Sequence, residues 1–189
     1  MGFLSLFKKG SGAYYGSESY KRVERLIASE RDLLIVSPYI DDYYAAYLAA
    51  HSRGKKIHII SSSITGSAAK RLHRNDTLRS SLTATFLSVS VSWLLFLLDA
   101  FNPIYSLATI AAGVLLVSYA FMHRSSIYLK IPKDFVHAKM YVGDSSAVEG
   151  SANLTYAGMH KNIEGVRLIT DPKEVDALKH QFWTLWNSL

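Results

Sequence analysis

The chain has 189 residues, of which 49% are apolar, and it carries a net charge of +6 and no cysteine. This composition excludes an intrinsically disordered chain, and the lack of cysteine excludes disulfide bonds and thiolate chemistry. The basic balance suits a polyanionic partner, either nucleic acid or an anionic lipid surface. The charge is unevenly distributed, because residues 80–122 contain one charged side chain, Asp99.

The first part of the chain predicts a short N-terminal region followed by an α/β pattern. Residues 1–18 are interpreted as an N-terminal segment that ends in a Gly- and Ser-rich linker. From residue 19 onward, apolar periodicity alternates between the helical and the extended type. The predicted elements are a helix near Ser19–Glu30, a strand at Asp32–Tyr39, a helix over residues 41–54 that stops at Gly54, and a strand at Lys56–Ser63.

Two uncharged stretches within residues 80–122 predict a transmembrane hairpin. Leu82–Leu98 and Ile104–Met122 contain no charged side chain, and the turn-like sequence DAFNP separates them. As helices they would be about 25 and 28 Å long, close to a hydrocarbon core of about 30 Å. Asn102 can cap the second helix, and Pro103 suits its first turn. Several Ser and Thr residues in the first stretch leave open a second interpretation, a pair of helices buried in a protein core.

Basic residues flank this hairpin on both sides, whereas its connecting loop has none. Lys and Arg next to membrane spans favour the cytoplasmic side, so both termini and both flanking parts of the chain are predicted to be cytoplasmic. The protein is thus expected to be a two-span membrane protein. The basic flanking residues are Lys70, Arg71, Arg74, Arg79, Arg124, Lys130 and Lys133.

After the hairpin the α/β pattern resumes. Strands are predicted at residues 126–131, 136–142, around Ala147 and at 164–170, and a final helix at Pro172–Asn187. Residues 19–79 and 123–189 are expected to fold together as a single domain, with residues 80–122 as an insertion.

The chemistry-bearing residues lie in this second part of the chain. His137 and Lys139 belong to the sequence HAKMYVGD, on the predicted strand. Because side chains alternate along a strand, His137, Lys139 and Tyr141 would share one face, and imidazole and ammonium could converge on one ligand. Asp144 lies beyond the strand in a turn-like GDSS sequence, where we expect it to hold the turn through side-chain to backbone hydrogen bonds.

A GSAN sequence at residues 150–153 and the acidic residue Glu164 follow. The order of HxK, four residues, Asp and then GSxN resembles the phospholipase D superfamily, in particular its small, single-motif, endonuclease-like branch. The resemblance covers most of the chain apart from residues 1–18 and the hairpin. It implies an α/β fold with a phospholipase D-like mixed sheet flanked by helices, into which the two-helix transmembrane hairpin is inserted.

The resemblance also implies roles for individual residues. His137 would attack phosphorus to form a phosphohistidine, and Lys139 and Asn153 would bind the phosphoryl oxygens. Glu164 matches the acidic residue that hydrogen-bonds the nucleophilic imidazole, which fixes its tautomer and raises its basicity. The residues expected to support the site are Asp144, Gly150 and Ser151.

The single HxK motif carries a further implication. The leaving group needs a second histidine, so the resemblance implies a homodimer in which the partner copy supplies it. Neither a metal nor a cofactor is expected, because Lys139 supplies the positive charge. The leading prediction is hydrolysis of phospholipid headgroups or phosphatidyl transfer, because the hairpin should hold the site near the bilayer. Two alternatives remain, a membrane-tethered endonuclease acting on DNA or RNA and a catalytically silent membrane scaffold.

Overall fold

A computed structural model of the protein describes residues 12–73 and 126–189, together with isolated helical positions between residues 86 and 118. The predicted hairpin therefore lies almost entirely outside the described residues. Among the helices that the structure describes, none is both long enough and apolar enough to cross a bilayer. Several large apolar side chains described in the 86–118 interval are exposed; they include Phe86, Leu87, Val89, Val114 and Leu115.

A mixed seven-stranded sheet forms the centre of the molecule, in the order β1-β9-β8-β7-β2-β4-β6. Strands β2, β4 and β6 are parallel to one another, and the remaining pairs are antiparallel. A small parallel pair, β3 and β5, lies outside this sheet. The strands are β1 Gly12–Tyr15, β2 Asp32–Val36, β3 Tyr39–Ile40, β4 Lys56–Ile60, β5 Ser63–Ile64, β6 Ser126–Lys130, β7 Met140–Val142, β8 Ala147–Gly150 and β9 Gly165–Ile169.

Helices cover both faces of the sheet. They are α1 Ser17–Ser29, α2 Asp42–Ala50, α3 Gly66–His73, a π-helix at Ala157–Lys161 and α4 Pro172–Ser188. Two of them begin at aspartate caps: the side chain of Asp41 accepts the Tyr44 N–H at 3.0 Å, and Asp171 accepts the Lys173 N–H at 2.8 Å. These carboxylates satisfy N–H groups that have no partner within the first helical turn.

Alternation along the strands divides the core into two layers. In β2, Leu33 and Ile35 pack with α1, α2, α3 and the π-helix, whereas Leu34 and Val36 pack with α4 on the opposite face. All four side chains are buried. A central strand with both faces covered reads as a continuous apolar run, which is why Asp32–Val36 is recognisable in the sequence.

The structure corrects three details of the predicted elements. Gly12–Tyr15, assigned to a linker, forms the edge strand β1, which pairs antiparallel with β9. Helix α2 ends at Ala50, and Gly54 (φ 71°) lies in the turn that precedes β4. The strand expected at residues 136–142 begins at Met140, so His137 and Lys139 lie in the extended segment that leads into β7.

The direction of the parallel strands defines two edges of the sheet. We call the side where β2, β4 and β6 end the carboxyl edge, and the opposite side the amino edge. Ser126, the first residue of β6, donates its N–H to the Lys55 carbonyl and lies at the amino edge. The chain therefore enters β6 at the amino edge, and β6 carries it across the sheet to the carboxyl edge.

Candidate active site

Most of the predicted site residues converge at the carboxyl edge. Strand β7 runs antiparallel to β2, so its beginning lies where β2 ends. His137 and Lys139 precede this end of β7, whereas Ser151 and Asn153 follow β8, and Glu164 precedes β9. The antiparallel order of β7, β8 and β9 thus brings three separate chain segments to one edge.

The histidine and the lysine of the HxK motif are in direct contact. Lys139 Nζ lies 3.1 Å from His137 Nε2 and donates to the His137 carbonyl at 3.0 Å. An ammonium group can only donate, so as a hydrogen bond this contact turns the Nε2 lone pair toward Lys139. His137 is exposed. The pair therefore places a nucleophilic nitrogen and a positive charge side by side in an accessible position.

Ser62, in the turn between β4 and β5, positions the segment that carries His137. Its hydroxyl accepts the Val136 N–H at 2.7 Å and donates to the Val136 carbonyl at 3.1 Å. The residue before the histidine is thus fixed to the end of the neighbouring strand. Sequence reasoning missed this role, because Ser62 was placed inside a predicted strand and its partner is distant in the chain.

The GSAN loop is held from beneath by two buried side chains. The hydroxyl of Tyr141 donates to the Ala152 carbonyl at 2.7 Å, and the Ser37 hydroxyl accepts the Leu154 N–H at 2.9 Å. Tyr141 is fully buried, whereas His137, which is predicted to share one strand face with it, is exposed. Burial raises the pKa of its phenol well above the ordinary value, so the hydroxyl remains a donor.

Asn153 has an uncommitted side chain. Its Oδ1 atom is buried and forms no hydrogen bond with any described residue. A buried polar atom without a partner costs about 1–3 kcal/mol. Such a group at the rim of a site is suited to bind a ligand that supplies the missing hydrogen bond, and amide orientation can adjust to that ligand.

Glu164 bonds with Ser151 instead of the nucleophile. The Ser151 hydroxyl donates to Glu164 Oε2, and Asn162 Nδ2 donates to Oε1 at 3.1 Å. The Ser151 hydroxyl also accepts the Gly165 N–H at 3.1 Å. Among the described residues no hydrogen bond joins Glu164 to His137, so the expected imidazole contact is not formed within one chain. The carboxylate instead fixes the loop that carries Asn153.

Gly150 permits this close packing. A Cβ atom at position 150 would collide with the carbonyl oxygen of Gly165 on the neighbouring strand, and the Cα and Cγ1 atoms of Val166 lie within 3 Å of the same point. Only glycine allows β8 and β9 to approach here. The first residue of the GSAN sequence is therefore required by the backbone of the site.

Asp144 lies at the amino edge, away from the other motif residues. Its carboxylate accepts the Arg31 N–H at 2.9 Å and the Asp32 N–H at 3.3 Å, at the start of β2. The bonds from its side chain to backbone N–H groups agree in type with those expected, but they tie the β7–β8 turn to β2 instead of closing the turn itself. The third member of the HxK and Asp signature is structural in this chain.

The described residues contain no group of three His, Cys, Asp or Glu side chains that could hold a metal ion. Lys139, which contacts the nucleophile His137, provides a positive charge at the site.

Comparison with known proteins gives one family match and a set of similar folds. Residues 23–186 match the family described as "Cardiolipin synthase, PLD-like domain". The phospholipase D family member Nuc from Salmonella typhimurium is 16% identical, with a TM-score of 0.56 over 94% of each chain. NucT from Helicobacter pylori is 13% identical, with a TM-score of 0.53 over 95% of this chain and 96% of its own. A search of the curated proteins found no match.

Proposed function

Because the chain belongs to the family of cardiolipin synthase PLD-like domains, a phospholipase D-type family, we propose that it is a phosphodiesterase that forms a covalent intermediate on His137. The observation that carries this proposal is the contact of 3.1 Å between Lys139 Nζ and His137 Nε2, at the sheet edge to which Asn153 also belongs. A nucleophile, a cation and a further polar group are the parts that phosphoryl transfer needs.

The reaction follows from these positions. Lys139 transfers its hydrogen bond from Nε2 to the phosphoryl oxygens when substrate binds. The freed lone pair of His137 Nε2 then attacks phosphorus, a P–N bond forms, and the P–O bond to the leaving group breaks on the opposite side. The leaving oxygen takes a proton from an acid. Water or an alcohol then attacks the phosphohistidine, gives up its proton to the same group, and releases His137. Lys139 stabilises the charge that develops on the phosphoryl oxygens, and the Asn153 amide donates to them.

The acid in this scheme comes from a second copy of the chain. The sequence contains one HxK motif. His160, which follows the GSAN loop, contacts Tyr44 and Glu24 at 3.0 and 3.5 Å, so it is already engaged. We therefore place His137 of the partner subunit opposite the first, on a twofold axis that merges two half-sites into one centre.

Phospholipid headgroups are the proposed substrate. The description of the matched family names a phospholipid-synthesising enzyme, and the exposed apolar residues in the 86–118 interval suit a membrane. In this proposal residues 80–122 anchor the protein and the catalytic domain is cytoplasmic. Nucleic acid is the second candidate. The centroid of the exposed Tyr39 ring lies 5.8 Å from that of Phe135, and the centroid of the exposed Phe135 ring lies 6.0 Å from that of His137. These two aromatic rings could stack nucleic-acid bases.

Substrate profiling with a nucleophile-deficient control tests the function. Purified protein in liposomes is assayed against labelled phospholipids and against single- and double-stranded DNA and RNA, in parallel with H137A. We expect phospholipid hydrolysis or headgroup exchange that H137A lacks and that a chelator leaves unchanged. Cleavage of nucleic acid alone would establish the endonuclease instead. No His137-dependent turnover of either class would indicate a silent scaffold.

Subunit mixing tests the shared centre. Co-expression of wild type and H137A in equal amounts gives about one quarter wild-type homodimers if subunits pair at random. Because each centre needs both histidines, we expect about one quarter of the wild-type activity. Activity of about one half would show that each chain works alone.

A further inference from the structure

Four exposed apolar side chains lie on the edge strand β6, on the segment between β6 and the nucleophile, and on helix α4. Tyr128 is 48% exposed, Ile131 56%, Phe135 56%, and Trp183, from the neighbouring helix α4, 37%. We call these four residues the apolar strip. The centroid of the Phe135 ring lies 6.0 Å from that of the His137 ring, so one of the four residues borders the active site.

The path of the chain leaves two orientations for the domain. Only three residues separate Met122, the end of the second apolar stretch, from Ser126. Strand β6 then rises about 13 Å to Lys130, at about 3.3 Å per residue. If the strands stood upright on the bilayer, the carboxyl edge would face the aqueous phase. If β6 lay along the bilayer, the carboxyl edge would reach the headgroups.

The side chains around the strip are those favoured at a membrane interface. Tyr128 stacks on His58 with a centroid distance of 4.7 Å, and Trp183 meets the same ring edge-on at 4.8 Å. Lys130 Nζ lies 4.8 Å from the centroid of the Trp186 ring and donates to the Trp186 carbonyl. Tyr, Trp and Lys are the residues that anchor proteins at the headgroup level. Stacking holds these rings in place, so the surface exists before it meets a partner.

The histidine beneath the strip adds no charge that would oppose this contact. Burial lowers the pKa of His58 below its ordinary value, and the imidazole is therefore neutral at neutral pH.

Edge strands with exposed apolar side chains are normally covered. If the uncharged stretch that ends at Met122 crosses the bilayer as proposed, the bilayer begins within three residues of β6 and is the surface that covers this strand.

We propose that the apolar strip rests on the bilayer surface, so that β6 runs along the membrane and His137 stands at the level of the phospholipid headgroups. This orientation rests on the proposed membrane anchoring and defines how the site reaches its substrate. Lipid is then taken from the leaflet on which the strip lies, and the water or alcohol acceptor enters from the opposite, solvent side of the carboxyl edge.

Site-specific labelling tests the orientation without any need for turnover. The chain has no cysteine, so I131C, R53C and S29C each give one labelled site. They lie on the strip, at the amino edge and at the end of α1. The full-length proteins carry an environment-sensitive fluorophore, in vesicles of neutral and anionic phospholipids with nitroxide-labelled acyl chains. We expect lipid quenching of I131C at least as strong as that of R53C, and none of S29C.

Two results would overturn the proposal. Quenching of R53C without I131C would show an upright domain. Shielding of I131C from both lipid and aqueous quenchers would show that protein covers the strip. The same labels separate this inference from the proposed function, with H137A proteins as the control without turnover. In protein with an intact active site, quenching without turnover would refute the function alone. Turnover without quenching would refute the orientation alone.

A comparison of turnover on a membrane substrate and on a water-soluble substrate provides a second test of the bilayer contact. The double variant Y128S/I131S should lose at least fivefold in turnover of phospholipid in vesicles and change less than twofold toward a water-soluble phosphodiester such as bis(4-nitrophenyl) phosphate. Equal losses toward both substrates would assign the strip to folding or catalysis and contradict the proposed bilayer contact.

Discussion

Replacement of Tyr141 by phenylalanine isolates the support of the GSAN loop from the catalytic groups themselves. The change removes one hydroxyl and keeps the buried ring, so no large cavity forms. The Ala152 carbonyl, which accepts that hydroxyl at 2.7 Å, is left without its donor. Leaving a buried acceptor unpaired costs about 1–3 kcal/mol, and for a chain of this length about 2 kcal/mol lowers Tm by roughly 5 °C.

The same substitution should slow the reaction. Ala152 directly precedes Asn153, so a displaced carbonyl moves the amide that is proposed to bind the phosphoryl oxygens. A loss of about 1.4 kcal/mol of transition-state stabilisation lowers kcat about tenfold. We expect KM for a water-soluble phosphodiester to change less than kcat, because the Lys139 and His137 pair that receives the phosphate stays in place.

Tyr44→Phe is the matched control. Tyr44 is also fully buried, and its hydroxyl donates to Glu24 at 2.9 Å, outside the GSAN loop. It should lose similar stability in thermal unfolding followed by tryptophan fluorescence, yet keep kcat within twofold. If Y141F loses no more kcat than Y44F at equal stability, the Ala152 carbonyl does not position Asn153 and the reasoning is refuted.

Three further predictions address other residues. Asp144→Ala should lower the free energy of unfolding by about 1–2 kcal/mol, through loss of the bonds to β2, and leave kcat unchanged; a large kcat loss in folded protein would place Asp144 in the site. Glu164→Gln should retain more activity than Glu164→Ala, because the amide still accepts the Ser151 proton; equal activities would contradict this contact. Burial lowers the pKa of His58 below 6.5 in the folded state, so the unfolded state binds the proton first and the free energy of unfolding should fall as pH drops below 6.5. Urea unfolding at pH 7.5 and pH 5 measures this decrease, and H58Q should make it smaller. An equal decrease in H58Q and wild type would contradict the prediction.

The central strands and the motif were predictable because their signals are local. The strands predicted at residues 32–39, 56–63 and 126–131 contain the observed strands β2, β4 and β6, although the first two predictions run past the strand ends into β3 and β5. Pro172 after Asp171 marks the start of the last helix in any context. The HxK and GSxN residues are likewise identified by spacing, and the sheet order brings them to one edge.

The remaining features depend on partners far away in the chain. Gly12–Tyr15 has the composition of a loop and becomes a strand because β9 presents a free edge. Tyr141 and Ser62 look like ordinary strand and turn residues, and their roles follow from contacts with Ala152 and Val136. Glu164 was assigned to the imidazole, whereas Ser151, close to it across the β8 and β9 pair, takes its carboxylate. Such pairings are fixed by topology and not by sequence pattern.

The insertion point of residues 80–122 also sets the order in which the enzyme is made. Every residue assigned to the site, from His137 to Glu164, lies after this segment, whereas β2 and β4, which pair with the site-bearing half, lie before it. During synthesis the N-terminal part emerges first. If residues 80–122 enter the membrane as proposed, the ribosome completes the anchor before it makes the nucleophile. In that case the nucleophile is made only after the chain is already attached to the membrane.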